Sequence, residues 1–353
     1  MSFNFGKLKI GKKFPSLIVA EMSGNHCGSL KRAIQLIKAA KKSGADAIKL
    51  QTYTADTITL KSNRRDFLIS KKSPWHNKKS LWNLYKYAHT PWHWHQKLFK
   101  EARKIGLEIF SSPFDETAVD FLETLKCCAY KIASSEINHI PLLKRVSLTK
   151  KPVIISTGLA SRKDIDLAIN TLKKNGANKI IILVCVSNYP ANIRDYDLKK
   201  LNEFKKKYKV EVGLSDHTIG NTLAASSTVL GAKLFEKHFN LNDNKKTVDS
   251  FFSLKEENFK YYVNDIRSIE ESLKDKKKEK LYNFHKGSKS MRSIYVSKKI
   301  LKGEKITKLN IKILRPGFSL HPKYFDQIIG LRVKKNLNIG DRLLPKFIKG
   351  FDI

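Results

Sequence analysis

The chain has 353 residues and 41% hydrophobic content, enough for a packed core in two domains or in one barrel with an appended unit. Its formal net charge is +37, but the lysines are scattered instead of gathered into one patch or arm, which argues against a nucleic-acid partner. No segment approaches the ~18 consecutive apolar residues of a membrane span, and residues 1–13 lack a secretory apolar core, so we expect a cytoplasmic protein with no membrane partner.

Short apolar runs alternate with helical patterns along the first three quarters of the chain, which predicts βα units around a parallel sheet. Eight strands are predicted, at residues 17–21, 45–50, 107–111, 129–132, 152–156, 179–185, 210–214 and 233–237. Helical periodicity covers residues 30–43, 92–105, 116–125, 163–175, 197–207, 219–230 and 256–273. This succession predicts an α/β fold, a (β/α)8 TIM barrel over residues 1–273. A doubly wound sheet is the alternative, but no Gly-x-Gly-x-x-Gly follows the first strand.

One predicted connection is unusually long. About forty residues, 51–90, separate the second strand from the following helix, and loops of this length are often functional. All four tryptophans lie in or just after it: Trp75, Trp82, Trp92 and Trp94. His93 and His95 are two positions apart on the following helix and so face different sides. We therefore expect this segment to pack over the barrel as a lid, in preference to forming a metal site.

The pattern changes after the helical segment 256–273. Residues 274–290 are rich in lysine and are interpreted as a linker, and residues 291–353 are predicted to form a small second domain. Short β-like runs occur at 293–296, 311–314 and 328–333, separated by glycine and proline. A domain this small has little core of its own, so docking on another surface is expected.

Polar residues gather where the eight predicted strands end, and in a barrel enzyme the carboxyl ends of the strands form the active site. They are Glu21, Lys49, Gln51, Ser112, Lys131, Ser134, Glu136, Ser156, Ser187, Tyr189, Ser215, His217 and His238. Hydroxyl groups and one ammonium at a single face suit a phosphate. A phosphate-binding set of Lys49, Ser112, Ser134, Ser156 and Ser215 is therefore predicted.

His217 and His238 close the last two strands. Two imidazoles there predict a site for one divalent ion, Mn²⁺ or Mg²⁺ and as a further option Co²⁺, with water and substrate oxygens as the other ligands. Glu21 and Glu136 are candidates for a general base or for orienting water. Lys131 is a candidate for a different chemistry, because barrel aldolases use a strand lysine to form a Schiff base.

These residues together resemble the sialic-acid-synthase family, the phosphoenolpyruvate-dependent nonulosonate synthases. The matching segments are Ala20-Glu21 with Asn25-His26, Lys49-Leu50-Gln51-Thr52, Ser112-Pro113-Phe114, Tyr130-Lys131-Ile132, Ser156-Thr157-Gly158, Gly213-Leu214-Ser215-Asp216-His217, Glu236-Lys237-His238-Phe239 and Arg315-Pro316-Gly317. The last segment is similar to the family's appended antifreeze-like (SAF) domain. The run from His89 to His95 and the run from Arg315 to Pro322 resemble the pseudaminic acid branch.

The resemblance implies a reaction and roles. Phosphoenolpyruvate would condense with an open-chain 2,4-diacetamido-2,4,6-trideoxy hexose to give a nine-carbon sugar and phosphate by carbon–oxygen cleavage. The family pattern adds Ser187 to the phosphoenolpyruvate contacts, places Lys131 near the carboxylate, and places Gln51, Tyr189 and Asp249 at the sugar. Arg315 would reach the acylamino group from the partner subunit of a domain-swapped homodimer. Ser187 stands where neuraminate synthases have asparagine, which favours the pseudaminic or legionaminic branch.

Three alternatives remain open from the sequence. The first is a legionaminic or N-acetylneuraminic acid synthase with the same chemistry. The second is a Schiff-base aldolase that uses Lys131 and is insensitive to chelators. The third is a non-enzymatic basic protein that binds nucleic acid or a polyanionic glycan, which would not need a set of polar residues at the strand ends.

Overall fold

The computed structural model describes residues 2–274 and 289–352, and the chain divides into two units, residues 1–274 and 275–353. Most of the predicted linker, residues 274–290, lies outside the described residues. No helix in the described part of the chain is long and apolar enough to cross a membrane.

Eight parallel strands close into a barrel in the first unit, which confirms the predicted fold class. An antiparallel hairpin, β1 (Ser2–Phe5) and β2 (Leu8–Gly11), precedes them. The barrel strands are β3 (Leu17–Glu21), β4 (Ala47–Thr52), β5 (Glu108–Pro113), β6 (Tyr130–Ile132), β7 (Val153–Ser156), β8 (Ile180–Cys185), β9 (Glu211–Asp216) and β10 (Leu234–Asn240). β10 pairs with both β9 and β3, so the sheet has no open edge. A short strand, β11 (Leu254–Lys255), extends alongside β10.

Helices follow the strands and cover the outside of the barrel. They are α1 (Leu30–Lys42), α2 (Ala55–Ile58), α3 (Leu81–Ala88), α4 (Trp92–Lys104), α5 (Glu116–Thr124), α6 (Ile140–Leu148), α7 (Arg162–Lys174), α8 (Lys199–Tyr208), α9 (Thr222–Val229) and α10 (Glu256–Ser272). The predicted helices agree with these to within a few residues. α6 was not predicted, and the long connection at 51–90 contains two short helices, α2 and α3, instead of continuous loop.

Alternate residues of each strand serve different faces of the barrel. Lys49 and Glu236 point to the interior, where they meet each other, whereas Lys237 contacts the ring of Tyr262 on α10. The strands are buried on both faces because the helices cover the outside. Polar residues at the carboxyl ends of the strands therefore point either into the mouth of the barrel or outward to the surrounding helices.

Two buried histidines attach the long connection to the barrel. His26, after β3, contacts Thr90 at 3.2 Å between Nε2 and Oγ1. His95 on α4 contacts Thr52 at 2.8 Å, and Thr52 in turn contacts Ser111 on β5. Burial lowers the pKa of each imidazole to about 4. The folded protein therefore holds both rings neutral.

We expect the free energy of unfolding to fall as the pH is lowered through the range 6.5 to 4. Between the unfolded pKa of 6.5 and the folded pKa of about 4, each histidine binds a proton more readily in the unfolded chain. The folded state therefore has its full stability above pH 6.5 and loses stability as the pH falls toward 4. Between pH 7.5 and 5 each ring accounts for about 2 kcal/mol. Urea unfolding of the wild type and of His95→Gln at both pH values measures the difference.

The exposed neighbour His93, on the same helix, is the matched control. His93→Gln should keep the wild-type pH dependence, while His95→Gln should show a dependence weaker by about 2 kcal/mol over that interval. An identical pH dependence in all three proteins would show that His95 is not the group that titrates.

The second unit has its own small core. An antiparallel pair, β12 (Ser293–Val296) and β13 (Ile311–Leu314), and a single-turn helix, α11 (Phe325–Ile328), surround it. Its buried residues include Ile294, Ile300, Ile306, Leu337 and Ile348. The first two predicted β-like runs are strands, but the third, 328–333, is wrong. The helix ends there, Gly330 turns the chain with φ +88°, and only isolated bridges follow at Arg332 and Val333.

Candidate active site

A network of four buried charged side chains lies inside the barrel. Lys49 Nζ is 3.1 Å from Glu21 Oε2 and 2.8 Å from Glu236 Oε2. Lys131 Nζ is 3.6 Å from the other oxygen of Glu236. Glu236 thus stands between two ammonium groups contributed by strands β4 and β6. Two cations and two carboxyl groups balance within a volume that excludes most water.

The two carboxyl groups differ in acidity because their surroundings differ. Burial and the charge of Glu236 raise the pKa of Glu21 in spite of Lys49. Burial by itself would raise the pKa of Glu236, but attraction to Lys131 and Lys49 is the stronger effect, so the pKa of Glu236 is lowered. Glu236 is therefore the permanent anion, and Glu21 is the group whose proton affinity suits proton transfer.

The two lysines also differ. Burial by itself would lower the pKa of Lys49, but attraction to Glu21 and Glu236 is the stronger effect, so the pKa of Lys49 is raised. Burial lowers the pKa of Lys131, although Glu236 acts against it. Both ammonium groups lie where an entering anion would meet them.

Hydroxyl groups lie around this network. Ser112 Oγ and Ser156 Oγ are buried and make no hydrogen bond to any residue in the described part of the chain, so each is available to a ligand. Ser215 donates to Glu236 Oε1 at 3.1 Å. Of the five predicted phosphate-binding residues, Lys49 and Ser215 already contact Glu236.

Gly158 marks a niche beside these hydroxyl groups. A Cβ at this position would lie 2.3 Å from Ser187 Oγ and 3.0 Å from both Ser134 Oγ and Cys185 Sγ. The Gly158 amide also donates to Ser134 Oγ at 2.9 Å. Only glycine allows this close packing, and the polar side chains around it come from the ends of two strands, β6 and β8.

His217 and His238 lie side by side at the ends of β9 and β10, with ring centres 5.4 Å apart. His217 Nδ1 donates to the carbonyl of Val186 at 2.7 Å, which leaves Nε2 as the basic nitrogen. His238 Nδ1 is buried without a hydrogen-bond partner among residues 2–274 and 289–352, and lies 4.0 Å from Asp249 Oδ2. Burial and the neighbouring His217 lower the pKa of His238, so this ring is neutral.

These two rings fit a divalent ion by their chemistry. A metal-binding histidine usually binds the ion with one ring nitrogen and donates the N–H of the other to a backbone carbonyl, which fixes the orientation of the ring. His217 makes such a bond to Val186. The described residues contain no group of three or more histidine, cysteine, aspartate or glutamate side chains that could hold a metal ion. If these two rings held an ion, its remaining positions would fall to water and substrate.

Two of the three predicted sugar-facing residues, Gln51 and Asp249, are joined by hydrogen bonds through Ser23. Gln51 Nε2 donates to Glu21 Oε1 at 2.9 Å and to Ser23 Oγ at 3.2 Å, and Ser23 donates to Asp249. Tyr189 packs on His217 with ring centres 4.5 Å apart. These hydrogen bonds connect Glu21 in the central charged network to Asp249.

Two predicted residues lie outside this group. Glu136 is half-buried after β6 and accepts from Ser135 at 2.9 Å, and burial raises its pKa. It belongs to the rim and not to the central network. Arg315 is exposed in the second unit, immediately after β13.

Reasoning from the sequence did not assign Glu236 a role, although it quoted the residue within a motif. Glu236 is two residues before His238 and shares its face of β10, so strand alternation could have identified it. Ser23 and Cys185 were also missed. Their positions depend on φ +45° at Ser23 and on the niche at Gly158, which no local pattern reveals.

The sequence matches two domain families and several known proteins along most of its length. The NeuB family profile matches residues 36–278 and the SAF domain profile matches residues 291–349. Pseudaminic acid synthase of Campylobacter jejuni is 42% identical over 326 residues, 92% of this chain and 94% of that protein. N,N'-diacetyllegionaminic acid synthase of Legionella pneumophila is 33% identical, covering 96% of each chain.

A solved structure covers the whole molecule. The spore coat polysaccharide biosynthesis protein SpsE of Bacillus subtilis matches with a TM-score of 0.67 and 30% identity, over 100% of both chains. Fold, strand-end residues and relatives all lead to one assignment: this chain is a member of the NeuB family, with a SAF domain at its carboxyl end.

Proposed function

We propose that the chain condenses phosphoenolpyruvate with an open-chain 2,4-diacetamido-2,4,6-trideoxy hexose to form pseudaminic acid and phosphate. The observation that carries the proposal is the identity with pseudaminic acid synthases over nearly the whole chain, which exceeds that with the legionaminic acid synthases. The site supports it, because ammonium groups, free hydroxyls and a pair of imidazoles meet at one barrel mouth.

The charged network suits the reaction. Lys49, Lys131 and the hydroxyls of Ser112 and Ser156 would hold the anionic groups of phosphoenolpyruvate. Attack by carbon 3 of phosphoenolpyruvate on the aldehyde carbon moves the carbonyl electron pair to the aldehyde oxygen, which takes up a proton from water to become a hydroxyl, and leaves a cation at carbon 2. The permanent carboxylate of Glu236 would stabilise that cation.

Proton transfer completes the reaction. Water adds to carbon 2, and Glu21 would accept its proton because its pKa is raised. Glu136, at the rim, is the second candidate for orienting this water. The resulting tetrahedral intermediate releases phosphate as its carbon–oxygen bond breaks, which leaves the ketone. No Schiff base is needed, so Lys131 acts through its charge.

A divalent ion is part of the proposal. Mn²⁺, Mg²⁺ or Co²⁺ held by His217 and His238 would supply a Lewis acid that polarises the aldehyde of the sugar. The support is the orientation of His217 by Val186 and the unpartnered nitrogen of His238. A cytoplasmic location is also proposed, because phosphoenolpyruvate is a product of central metabolism.

Phosphate release tests the function directly. The protein is incubated with phosphoenolpyruvate and diacetamido-trideoxy sugars of altrose or mannose configuration, or with N-acetylmannosamine, with and without EDTA. We expect the altrose-type sugar to be preferred, EDTA to abolish turnover, and Mn²⁺ to restore the wild type but not His217→Ala. Turnover that survives EDTA together with a borohydride-trapped adduct on Lys131 would indicate an aldolase.

We also propose that the protein works as a domain-swapped homodimer in which Arg315 serves the partner's site. The support is its exposure after β13 in a unit with a separate core. Chains carrying His217→Ala are unfolded, mixed with Arg315→Ala chains and refolded. A swapped dimer should regain activity that neither variant shows alone, because one of its two sites has both residues. Full activity of Arg315→Ala alone, or no recovery in a mixture shown to contain heterodimer, contradicts the proposal.

A further inference from the structure

Four aromatic side chains form a continuous surface that leads outward from the two histidines. This aromatic wall consists of Tyr189, Phe252, Trp75 and Phe251. Phe252 packs on His238 with ring centres 4.6 Å apart, and Tyr189 packs on His217. Trp75 lies 5.8 Å from Tyr189 and 6.0 Å from Phe251. Phe251 is 43% exposed, so the wall runs from the buried floor of the site to its surface.

The outer residues of the wall, Trp75 and Phe251, offer a ligand no free polar side-chain atom. The indole nitrogen of Trp75 donates to the carbonyl of Val248 at 3.0 Å, and the Tyr189 hydroxyl is hydrogen-bonded to Ser187. The two phenylalanines have no polar side-chain atom. A ligand hydroxyl placed against this surface would lose its hydrogen bonds to water without gaining a partner, whereas a methyl group would be favourably buried.

The position of the wall matches one end of the proposed sugar. An extended six-carbon chain has five carbon–carbon bonds of about 1.5 Å and spans roughly 6 Å from carbon 1 to carbon 6. If carbon 1 reacts beside the histidines, carbon 6 reaches past Tyr189 toward Trp75, whose ring is one aromatic contact farther out. In a trideoxy hexose, carbon 6 is a methyl group.

We propose that the aromatic wall, through Trp75 and Phe251, binds the carbon 6 methyl group and selects 6-deoxy sugars over sugars with a 6-hydroxyl group. The inference deepens the proposed function and rests on it for the identity of the sugar. It assigns a role to the long connection between β4 and α4, because Trp75 is the residue of that connection that contacts Tyr189.

The test compares two sugars that differ only at carbon 6: the 2,4-diacetamido-2,4,6-trideoxy hexose and its 6-hydroxy counterpart. We expect the wild type to prefer the trideoxy sugar by about 10- to 100-fold in kcat/KM, the range for one group in an apolar pocket. Trp75→Ala and Phe251→Ala should reduce this preference to less than about 3-fold by raising KM for the trideoxy sugar, with KM for phosphoenolpyruvate unchanged.

Trp82 supplies the matched control. It lies in the same connection, but its indole nitrogen donates to Asp56 and its ring lies beneath Lys61 and Lys86. Trp82→Ala should retain the wild-type preference. Equal losses for both sugars in Trp75→Ala and Phe251→Ala, or a change confined to kcat, would overturn the proposal and leave the wall a structural role.

A binding measurement separates this inference from the proposed function. The trideoxy sugar is titrated into EDTA-treated protein with phosphoenolpyruvate present, and tryptophan emission is recorded. We expect a change in the wild type and in Trp82→Phe that is lost in Trp75→Phe, and weaker binding of the 6-hydroxy sugar. If the wild type binds the sugar in this way but releases no phosphate when metal is restored, the proposed reaction fails and the subsite stands. Equal affinity for the two sugars in this titration would contradict the proposed subsite.

Discussion

Replacing Glu236 with glutamine is expected to lower kcat by about 100- to 1,000-fold, the usual loss when a preorganised electrostatic group is removed. The amide has the shape of the carboxylate but not its charge, so the cation at carbon 2 would lose its counter-charge. KM for phosphoenolpyruvate should not rise, because Lys49 and Lys131 would no longer be neutralised by Glu236. Steady-state phosphate release over a range of phosphoenolpyruvate concentrations gives both constants.

The control for this substitution is Glu211→Gln. Glu211 is equally buried, but it begins strand β9 at the opposite end of the barrel and lies 3.8 Å from Lys205. This variant should retain kcat within about 3-fold, since it leaves the charges at the mouth unchanged. A Glu236→Gln enzyme with normal kcat, or one that loses only affinity for phosphoenolpyruvate, would exclude the proposed role of the carboxylate.

Replacing Lys237 with methionine is expected to lower the free energy of unfolding by about 3–5 kcal/mol. Lys237 and Asp216 form an ion pair of 3.0 Å in which neither side chain has any exposure to solvent. Removing the ammonium leaves Asp216 as a buried charge without its counter-ion, although Thr218 still donates to one of its oxygens. Chemical denaturation followed by circular dichroism measures the loss.

A double variant separates the ion pair from the packing around it. Asp216→Asn combined with Lys237→Met removes both charges and keeps an acceptor for Thr218. It should be more stable than Lys237→Met alone by at least about 2 kcal/mol, because no uncompensated charge is buried. If the double variant is the less stable of the two, packing of the lysine stem and not the charge dominates at this position.

The barrel was predictable because its strands are apolar runs of the expected length, and each lies within a few residues of its predicted bounds. Helix α6, Ile140–Leu148, was missed although Pro141 in its first turn is a helix-start signal. The segment 328–333 looks like a strand in sequence. Tertiary contacts in the second unit turn it into a helix end followed by bridges.

The candidate site was predictable as a list of residues but not as a set of contacts. Strand ends identified Lys49, Lys131 and the two histidines, since parallel strands bring their carboxyl ends to one rim. Strand alternation places Glu236 on the same face of β10 as His238, but the sequence did not indicate that it lies between the two lysines, because these contacts join residues of three different strands. The packing of Trp75 against Tyr189, which are far apart in the chain, depends on closure of the barrel.

The outward ion pair and the inward imidazoles occupy adjacent positions on the same two strands: Asp216 next to His217, and Lys237 next to His238. A single residue inserted into β10 before Lys237 would turn each following side chain of that strand to the opposite face of the sheet. The imidazole would then face the helices, and the lysine would enter the cavity. Length variation in the gene should therefore be tolerated between the strands but eliminated within them, so insertions and deletions will accumulate only in the connecting segments.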